Sequence, residues 1–293
     1  MKISVICLGY LQIPSGVDTL ARYFSKINAD VYLHIDAKVS SDYYQEALKN
    51  NANIMLLPDR FPIWWGGFNT VRAIVAALKC IRNIRHYDRY LLLTEDTVPL
   101  LSPEALANHL QQDFEFIDSY PVPLQPDHLV RQRYAGWYLF DSIATNPRHY
   151  PPEQRVFDDE LLASTDRLNQ LRKKGKRPLP NLRGGSTWWG LSNEAISSIL
   201  ELYENSEWLR ASFEYAAIPE EMIFQTLLGM SEQKRAYSPF LLTDFSKDPK
   251  PYVFSTESEL TSLVGGPHCM VRKVDLRSAG VNNYMESLIE GSI

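Results

Sequence analysis

An acidic pair in the second half of the chain has the setting of a catalytic base. Glu220 and Glu221 follow Pro219, and apolar residues at helical spacing come after them. A proline suits the first position of a helix, and the helix dipole favours the ionised form of a carboxylate in the first turn. An ionised carboxylate can remove a proton from a hydroxyl group. The alternative is structural, because acids in a first turn also support the helix itself.

Other side chains that could bind a ligand follow predicted strands. Tyr10 comes after the first strand, Asp36 after the second, and Glu95 and Asp96 after a later one. In an open α/β sheet the carboxyl ends of parallel strands meet at one edge, where nucleotides bind. Each carboxylate could instead cap the helix that follows its strand. No G-x-G-x-x-G and no G-x-x-x-x-G-K-[ST] motif occurs, which disfavours NAD and ATP as ligands.

The elements that position these residues alternate between strand and helix in the first part of the chain. A strand at 3–8, a helix at 17–27 and a strand at 30–35 form a βαβ unit. The clearest amphipathic helix covers 68–84, and a strand at 89–93 follows it. This alternation continues to about residue 125. It predicts an α/β fold with a Rossmann-type, mostly parallel central sheet flanked by helices.

The pattern changes in the second part of the chain. Residues 186–191 form a short apolar and aromatic run that suits a buried strand, after which Ser192 caps a helix. Residues 121–183 contain many prolines and few periodic runs, so we expect an elaborated loop region there. Its basic run, 172–177, is expected to form a solvated surface turn. The tail to residue 293 is expected to be helical or frayed.

Size and charge limit the classes of protein to which the chain can belong. It has 293 residues, 45% of them hydrophobic, so it can bury a large core and is expected to form a single domain. A net charge of −5 argues against nucleic acid as a partner, because binding to nucleic acid needs a basic surface.

Cysteine usage and hydropathy indicate a compartment. Cys7, Cys80 and Cys269 are far apart and odd in number, which suggests free thiols in a reducing environment. The apolar run at the N-terminus is too short for a signal peptide or anchor, and no stretch of about 18 apolar residues occurs. We therefore expect a cytoplasmic protein with at most peripheral membrane contact.

Six motifs occur in order along the chain and cover most of residues 1–276. They are Val31-Tyr32-Leu33-His34-Ile35-Asp36-Ala37-Lys38; Arg60 with Trp64-Trp65-Gly66-Gly67-Phe68; Leu93-Thr94-Glu95-Asp96-Thr97-Val98-Pro99; Gly185-Ser186-Thr187-Trp188-Trp189; Pro219-Glu220-Glu221 with Phe224-Gln225-Thr226-Leu227; and Val271-Arg272-Lys273-Val274-Asp275. Together they resemble the family of Core-2/I-branching β-1,6-N-acetylglucosaminyltransferases and peptide xylosyltransferases.

The missing anchor and disulfide pattern suggest a bacterial enzyme that makes a surface polysaccharide. The resemblance implies a GT-A-like fold and the transfer of a sugar, in particular N-acetylglucosamine, from a UDP-sugar to a glycan hydroxyl with inversion. It implies no cofactor and no divalent metal, and the chain indeed lacks an Asp-x-Asp motif at a strand end. Residues 1–125 would then form the nucleotide-sugar-binding half, and residues 126–293 the acceptor-binding and catalytic half.

The resemblance also implies roles for individual residues. Glu221 would be the base, and Lys273 would steady the leaving diphosphate in place of a metal ion. Asp36 and Trp65 would contact the uracil. The remaining donor-side residues would be Tyr10, Asp96, Arg131, Arg133, Lys250 and Arg272, and the acceptor side would comprise Ser186, Trp188, Trp189 and Glu220.

Two other functions remain open at this point. The first is a metal-dependent glycosyltransferase of the same fold class that uses Glu95 and Asp96 as metal ligands. The second is a protein that binds a nucleotide sugar without turning it over.

Overall fold

A parallel sheet forms the centre of the fold. Within residues 1–141, 159–231 and 236–291, which the computed structural model describes, seven strands lie in the order β10-β6-β9-β4-β1-β2-β3. The strands of the chain are β1 (Ile3–Gly9), β2 (Asp30–Ile35), β3 (Ile54–Leu56), β4 (Arg89–Thr94), β5 (Val98–Pro99), β6 (Phe114–Ile117), β7 (Tyr120–Pro121), β8 (Arg183–Gly184), β9 (Trp189–Ser192), β10 (Ala236–Ser238), β11 (Leu241–Thr243) and β12 (Met270–Arg272).

Helices cover both faces of this sheet. They are α1 (Pro14–Ser25), α2 (Gln45–Asn50), α3 (Asn69–Ile84), α4 (Pro103–His109), α5 (Leu129–Ala135), α6 (Asp159–Lys174), α7 (Asn193–Asn205), α8 (Glu207–Phe213), α9 (Ile223–Met230), α10 (Glu257–Thr261) and α11 (Ala279–Glu290). The predicted class, an α/β fold with a mostly parallel sheet flanked by helices, is confirmed.

Strand direction decides which residues meet at the carboxyl edge of the sheet. The strands β3, β2, β1 and β4 pair in parallel, and β9 is antiparallel to both β4 and β6. The strands β4 and β6 therefore run the same way, while β9 begins at the edge where they end. The residues that precede Trp189 thus lie beside those that follow Thr94. Periodicity predicts a strand here but not its direction.

The alternation of side chains along β1 explains why helices are needed on both faces. Val5 and Cys7 belong to one apolar cluster, which includes residues of α1 and α11. Ile6 and Leu8 belong to a second cluster, which includes residues of α3, α7 and α9. Because successive residues of a strand point to opposite faces, a strand that is apolar throughout must be covered on both sides.

A smaller sheet continues the chain beyond β4. The strand β12 is antiparallel to β5, with Val271 opposite Val98, and parallel to β11. Since β5 comes two residues after Asp96, this pairing brings Arg272 to the edge where β4 ends. Among the described residues, no helix is long and apolar enough to cross a membrane.

Two expectations for the second half need correction. Residues 121–183 contain the helices α5 and α6 in addition to loops, although 142–158 lie outside the described residues. The expected helix start at Pro219 is a single 3-10 turn over Pro219–Glu221, and the α-helix begins only at Ile223. Turns of this kind are frequent at the ends of α-helices, and a proline followed by acids suits a 3-10 turn as well as the first turn of an α-helix. The predicted cap at Ser192 is confirmed, since its side chain accepts from the Ala195 amide.

Candidate active site

Glu95 organises the loop that follows β1. Its carboxylate accepts hydrogen bonds from the amides of Tyr10 at 2.7 Å and Ile13 at 3.1 Å, and also from the Leu11 amide. The Tyr44 hydroxyl donates to it at 2.7 Å. The side chain is fully buried. Glu95 therefore holds the β1–α1 loop in place, and both of its oxygens are engaged by the protein.

Asp96 is paired with a cation from the far end of the chain. The Arg272 guanidinium lies 3.3 Å from both carboxylate oxygens of Asp96 and donates to the Tyr10 hydroxyl at 3.2 Å. The same guanidinium lies 4.5 Å from the ring centroid of Trp188. Tyr10, Asp96, Arg272 and Trp188 thus form one connected group at the carboxyl edge of the sheet.

Lys273 provides a cation beside this group. Its side chain is half-buried and makes no hydrogen bond or ion pair within the part of the chain that the structure describes. Burial and the neighbouring Arg272 lower the pKa of Lys273, while Asp96 raises it. Lys250, by contrast, is exposed on the loop between β11 and β12. The ammonium of Lys273 is thus available to an anion.

At the end of β2, Asp36 is tied into its own loop. One carboxylate oxygen accepts from the Lys38 ammonium at 2.6 Å and from the Ile63 amide at 3.3 Å. The Lys38 ammonium also lies 4.6 Å from the centroid of Trp64. Trp65, the next residue, is 64% exposed and contacts Phe140 instead. The two adjacent tryptophans therefore belong to different surroundings.

The expected base is paired with an arginine of α5. Arg133 Nη1 lies 3.1 Å from Glu221 Oε2, and the two side chains are 28% and 39% exposed. Burial raises the pKa of Glu221, and Arg133 acts in the opposite direction. The sequence argument that a helix dipole lowers this pKa is therefore wrong in its direction, because the 3-10 turn has little dipole and desolvation dominates. The pairing also places Arg133 beside the base.

Glu220, on the same turn, is a buried carboxyl group, and Asp141, which accepts from the Asn69 amide at 2.9 Å, is half-buried. Glu220 is 8% exposed, and its Oε2 lacks a hydrogen-bond partner in the described structure, as does Oδ1 of Asp141. Burial raises the pKa of Glu220 to about 8 and that of Asp141 to about 6. Glu220 is thus neutral near pH 7, and its position gives no support for the predicted contact with an acceptor.

A short segment of the chain, 185–188, connects the Arg133–Glu221 pair to the group around Arg272. The Gly185 amide donates to the Glu221 carbonyl at 3.0 Å, and three residues later Trp188 lies against Arg272. Three extended residues span at most about 11 Å. Ser186, between them, accepts through its carbonyl from the Gln225 amide group at 2.6 Å. This segment brings the Glu221 and Arg272 regions to one site.

The positions of Trp189 and Arg131 contradict their expected roles. Trp189 is fully buried against Phe224 and exposes no face to a sugar. Successive residues of an extended chain point to opposite sides, so only Trp188 can face the site. Arg131 donates to the carbonyls of Pro123 and Val122 at 2.7 and 3.0 Å. It lies two residues from Arg133 and so faces away from it on the helix.

The basic run 172–177 is likewise only partly solvated. The Lys176 ammonium donates to the carbonyls of Tyr134 and, at 2.7 Å, Gly136, and it lies 4.6 Å from the ring centroid of Trp137. Its desolvation lowers the pKa of Lys176 to about 7. Lys176 therefore supports the segment after α5, a role that a charge run cannot reveal.

Several site residues were missed at the sequence level. Asp118 follows β6 at the same edge as Asp96, and burial raises its pKa while His268 lowers it. An acid after a predicted strand was an available signal for Asp118. Asp141 and Lys38 carried no such signal, because the conformation of loops decides which groups their side chains contact. In the described ranges, no group of three or more His, Cys, Asp or Glu side chains could hold a metal ion.

A comparison with protein-family models identifies the family of the chain. Residues 16–256 match the family model described as Core-2/I-Branching enzyme. The chain aligns over 100% of its length, at 12% identity and a TM-score of 0.46, with a galactosyltransferase, LgtC, solved with donor and acceptor sugar analogues, of which 96% is covered. An active-site mutant of LgtC aligns with the same identity and coverage and a TM-score of 0.48. Among curated proteins, none matches the chain. The matched family range contains Asp96 and Glu221, whereas Tyr10 and Arg272 lie outside it.

Proposed function

The chain belongs to the Core-2/I-branching enzyme family and is a glycosyltransferase, and we propose that it transfers a sugar from a UDP-sugar to a glycan hydroxyl with inversion and without a metal ion. N-acetylglucosamine is the sugar that we propose it carries, since the family's branching enzymes transfer it. We further propose that the enzyme acts in the cytoplasm and contributes to the synthesis of a surface polysaccharide.

In this mechanism Glu221 is the base. Its carboxylate takes the proton of the acceptor hydroxyl as the hydroxyl oxygen attacks the anomeric carbon, and the bond from that carbon to the diphosphate oxygen breaks. UDP leaves with the electron pair of that bond. Arg133 holds Oε2 of Glu221, so Oε1 is the oxygen left to receive the proton. Attack from the side opposite the diphosphate inverts the anomeric configuration.

Cationic side chains meet the negative charge that develops on the diphosphate. Lys273 is half-buried and unpaired among the described residues, so its ammonium can bind a phosphate oxygen at little cost in broken contacts. Arg272 is shared with Asp96 and Tyr10, which fix its position. Lys250 would assist only if its loop closes over the donor.

One observation carries the proposal: a single segment, 185–188, contacts both the residue expected to act as base and Arg272, the neighbour of Lys273. The Gly185 amide donates to the Glu221 carbonyl, and Trp188 covers the Arg272 guanidinium. A base and cations held by one short segment suit a substrate whose reacting carbon lies between the acceptor hydroxyl and a diphosphate.

The metal-dependent alternative is less well supported by the carboxylates at the end of β4. Glu95 accepts hydrogen bonds at both of its oxygens, and Asp96 is bound to Arg272 through both of its oxygens. Coordination of a divalent ion by either residue would require these contacts to break.

A transfer assay tests the proposal. The protein is incubated with each of several radiolabelled UDP-sugars and a panel of glycan acceptors, in EDTA and in Mn²⁺, and the product anomer is identified by NMR. We expect transfer in EDTA with inversion. Activity that EDTA abolishes and Mn²⁺ restores would favour the metal-dependent alternative. Binding of a UDP-sugar, seen as a raised melting temperature, without transfer or hydrolysis would favour a non-catalytic protein.

A further inference from the structure

An exposed tryptophan, Trp65, packs against two half-buried aromatic side chains on the loop next to the turn that carries the proposed base. We call Trp65, Tyr138 and Phe140 the aromatic platform. Trp65 is 64% exposed, and its ring centroid lies 6.3 Å from that of Phe140. The rings of Phe140 and Tyr138 are nearly parallel, with centroids 5.2 Å apart and an interplanar angle of 9°. Such an exposed aromatic group on the catalytic side of a protein calls for an explanation.

The platform is held by the same backbone that carries Glu221. The Ile218 amide donates to the Gly66 carbonyl at 2.9 Å, which fixes the residue next to Trp65 to the start of the 3-10 turn. Gly66 has a φ of +81°, and a Cβ atom there would lie 3.2 Å from the Phe140 ring. Only glycine suits both conditions, so the loop and the ring pack closely.

The backbone contact at Gly66 lies close to the base. Ile218, which donates to Gly66, comes directly before the 3-10 turn, and the Glu221 amide donates to the Ile218 carbonyl at 3.2 Å. Polar groups at this side of the platform are the Glu221 carboxylate and the Arg133 guanidinium, both partly exposed. An occupant of the platform therefore meets an aromatic face on one side and hydrogen-bonding groups at its edge.

The size of the platform limits its occupant. Of the three rings only Trp65 is largely exposed, and one aromatic side chain offers on the order of 150–250 Å², whereas a stable protein partner covers roughly 800 Å² on each side. The platform corresponds instead to the C–H face of a single pyranose. Its carboxylate and guanidinium neighbours are groups that bind sugar hydroxyls.

The geometry points to an acceptor subsite: a neutral pyranose ring of the acceptor glycan lies with its C–H face on Trp65 and presents a hydroxyl to Glu221. This inference rests on the proposed function and gives Trp65 a different role from the uracil contact expected from the sequence. Trp64, beside Lys38 and hence Asp36, lies on the uracil side of the same loop.

Saturation-transfer NMR with simple sugars tests the subsite without requiring catalysis. The probes are methyl β-glycosides of glucose, galactose and N-acetylglucosamine at about 10 mM, which populates sites of millimolar affinity, and UDP alone as the donor probe. The variants are Trp65→Ala and Trp65→Phe. The matched control is Ile84→Ala, which removes a 55% exposed apolar side chain at the opposite end of α3.

We expect at least one glycoside to receive saturation at its ring C–H protons, the signal to fall about five- to tenfold in Trp65→Ala, and Trp65→Phe and Ile84→Ala to retain most of it. UDP binding is expected to be unchanged in Trp65→Ala. The inference is wrong if no glycoside binds, if Trp65→Ala binds glycosides normally, or if that variant loses UDP binding instead. If the protein binds the glycosides as expected but shows no transferase activity, the proposed function is wrong and the sugar subsite stands.

Discussion

Arg133 Nη1 and Glu221 Oε2 lie 3.1 Å apart, although 88 residues separate them in the chain. The pair connects α5 to the turn before α9. It also sets the chemistry of the carboxylate, because burial raises the pKa of Glu221 and the guanidinium lowers it. The guanidinium thus offsets part of the effect of burial on the carboxylate and favours its ionised form, which a base requires.

Replacement of Arg133 by methionine should move the pH dependence of catalysis. Without the cation the pKa of Glu221 rises, so the acidic limb of the kcat profile should shift to higher pH by about one unit, with the loss of rate greatest at low pH. Arg133→Lys should restore part of the shift. Arg22→Met, which breaks an ion pair with Glu286 between α1 and α11, is the control. An unmoved acidic limb in Arg133→Met would contradict this role.

Replacement of Glu221 by glutamine should abolish most turnover while leaving the fold intact. The amide has the shape of the carboxylate but cannot accept the proton, so kcat should fall about 10²-fold or more. Circular dichroism and the melting temperature report on the fold. Glu221→Gln with the kcat of the wild type would remove Glu221 from the mechanism.

Glu220 should make the protein less stable as the pH rises. Its pKa is raised to about 8 from an ordinary value of 4.5, mainly by burial and further by Glu221 and Asp141, against Arg133. Between these two pH values the unfolded chain loses the proton and the folded chain keeps it, so the free energy of unfolding falls until about pH 8 and then levels.

The variant Glu220→Gln removes this titration. Each pKa unit corresponds to about 1.4 kcal/mol, so we expect Glu220→Gln to be more stable than the wild type at pH 8.5, with the advantage vanishing near pH 4. Urea unfolding at several pH values measures the difference. If the two proteins show parallel stability profiles from pH 4 to pH 9, Glu220 ionises normally in the folded state.

Lys273 should contribute to donor binding through its charge. Lys273→Ala is expected to weaken UDP binding about tenfold or more, as measured by calorimetry, because the diphosphate loses the ammonium group that binds it. Since burial and Arg272 lower the pKa of Lys273, UDP binding by the wild type should also weaken at alkaline pH sooner than an ordinary lysine would allow. Lys247→Ala, on the loop that carries Lys250, is the control; equal losses in both variants would count against Lys273.

Glu95 should act in folding and not in metal binding. Glu95→Gln replaces an oxygen that accepts backbone hydrogen bonds by an amide group that cannot, which should lower the free energy of unfolding by about 2–4 kcal/mol. Thermal unfolding measures this loss. A variant with unchanged stability whose activity is lost and then recovered with excess Mn²⁺ would show instead that Glu95 is a metal ligand.

The sequence predicts best those elements whose periodicity is strong. The helix expected at 68–84 is α3, and the strands expected at 30–35 and 89–93 are β2 and β4. In each case the apolar pattern alone indicates the element, a one-sided stripe for α3 and a continuous apolar run for each strand, so no distant contact has to be known. The carboxylates at the ends of these strands were found for the same reason.

The arrangement of the site depends on contacts that periodicity does not contain. Arg133 and Arg131 are equivalent in a sequence, and only the packing of α5 separates the one that pairs with Glu221 from the one that binds loop carbonyls. Trp189 is different, because the alternation along a strand already indicates that two successive tryptophans cannot both face the site.

The position of β6 in the central sheet has a consequence for synthesis of the protein on the ribosome. The strand β6 lies between β9 and β10 in the central sheet, so both of its neighbours are made after it, the first about 70 residues later and the second more than 110 residues later. At 5–20 residues per second the nascent β6 waits for seconds with both edges unpaired. Its Glu115, which later accepts from Ser192 at the end of β9, keeps that waiting strand charged.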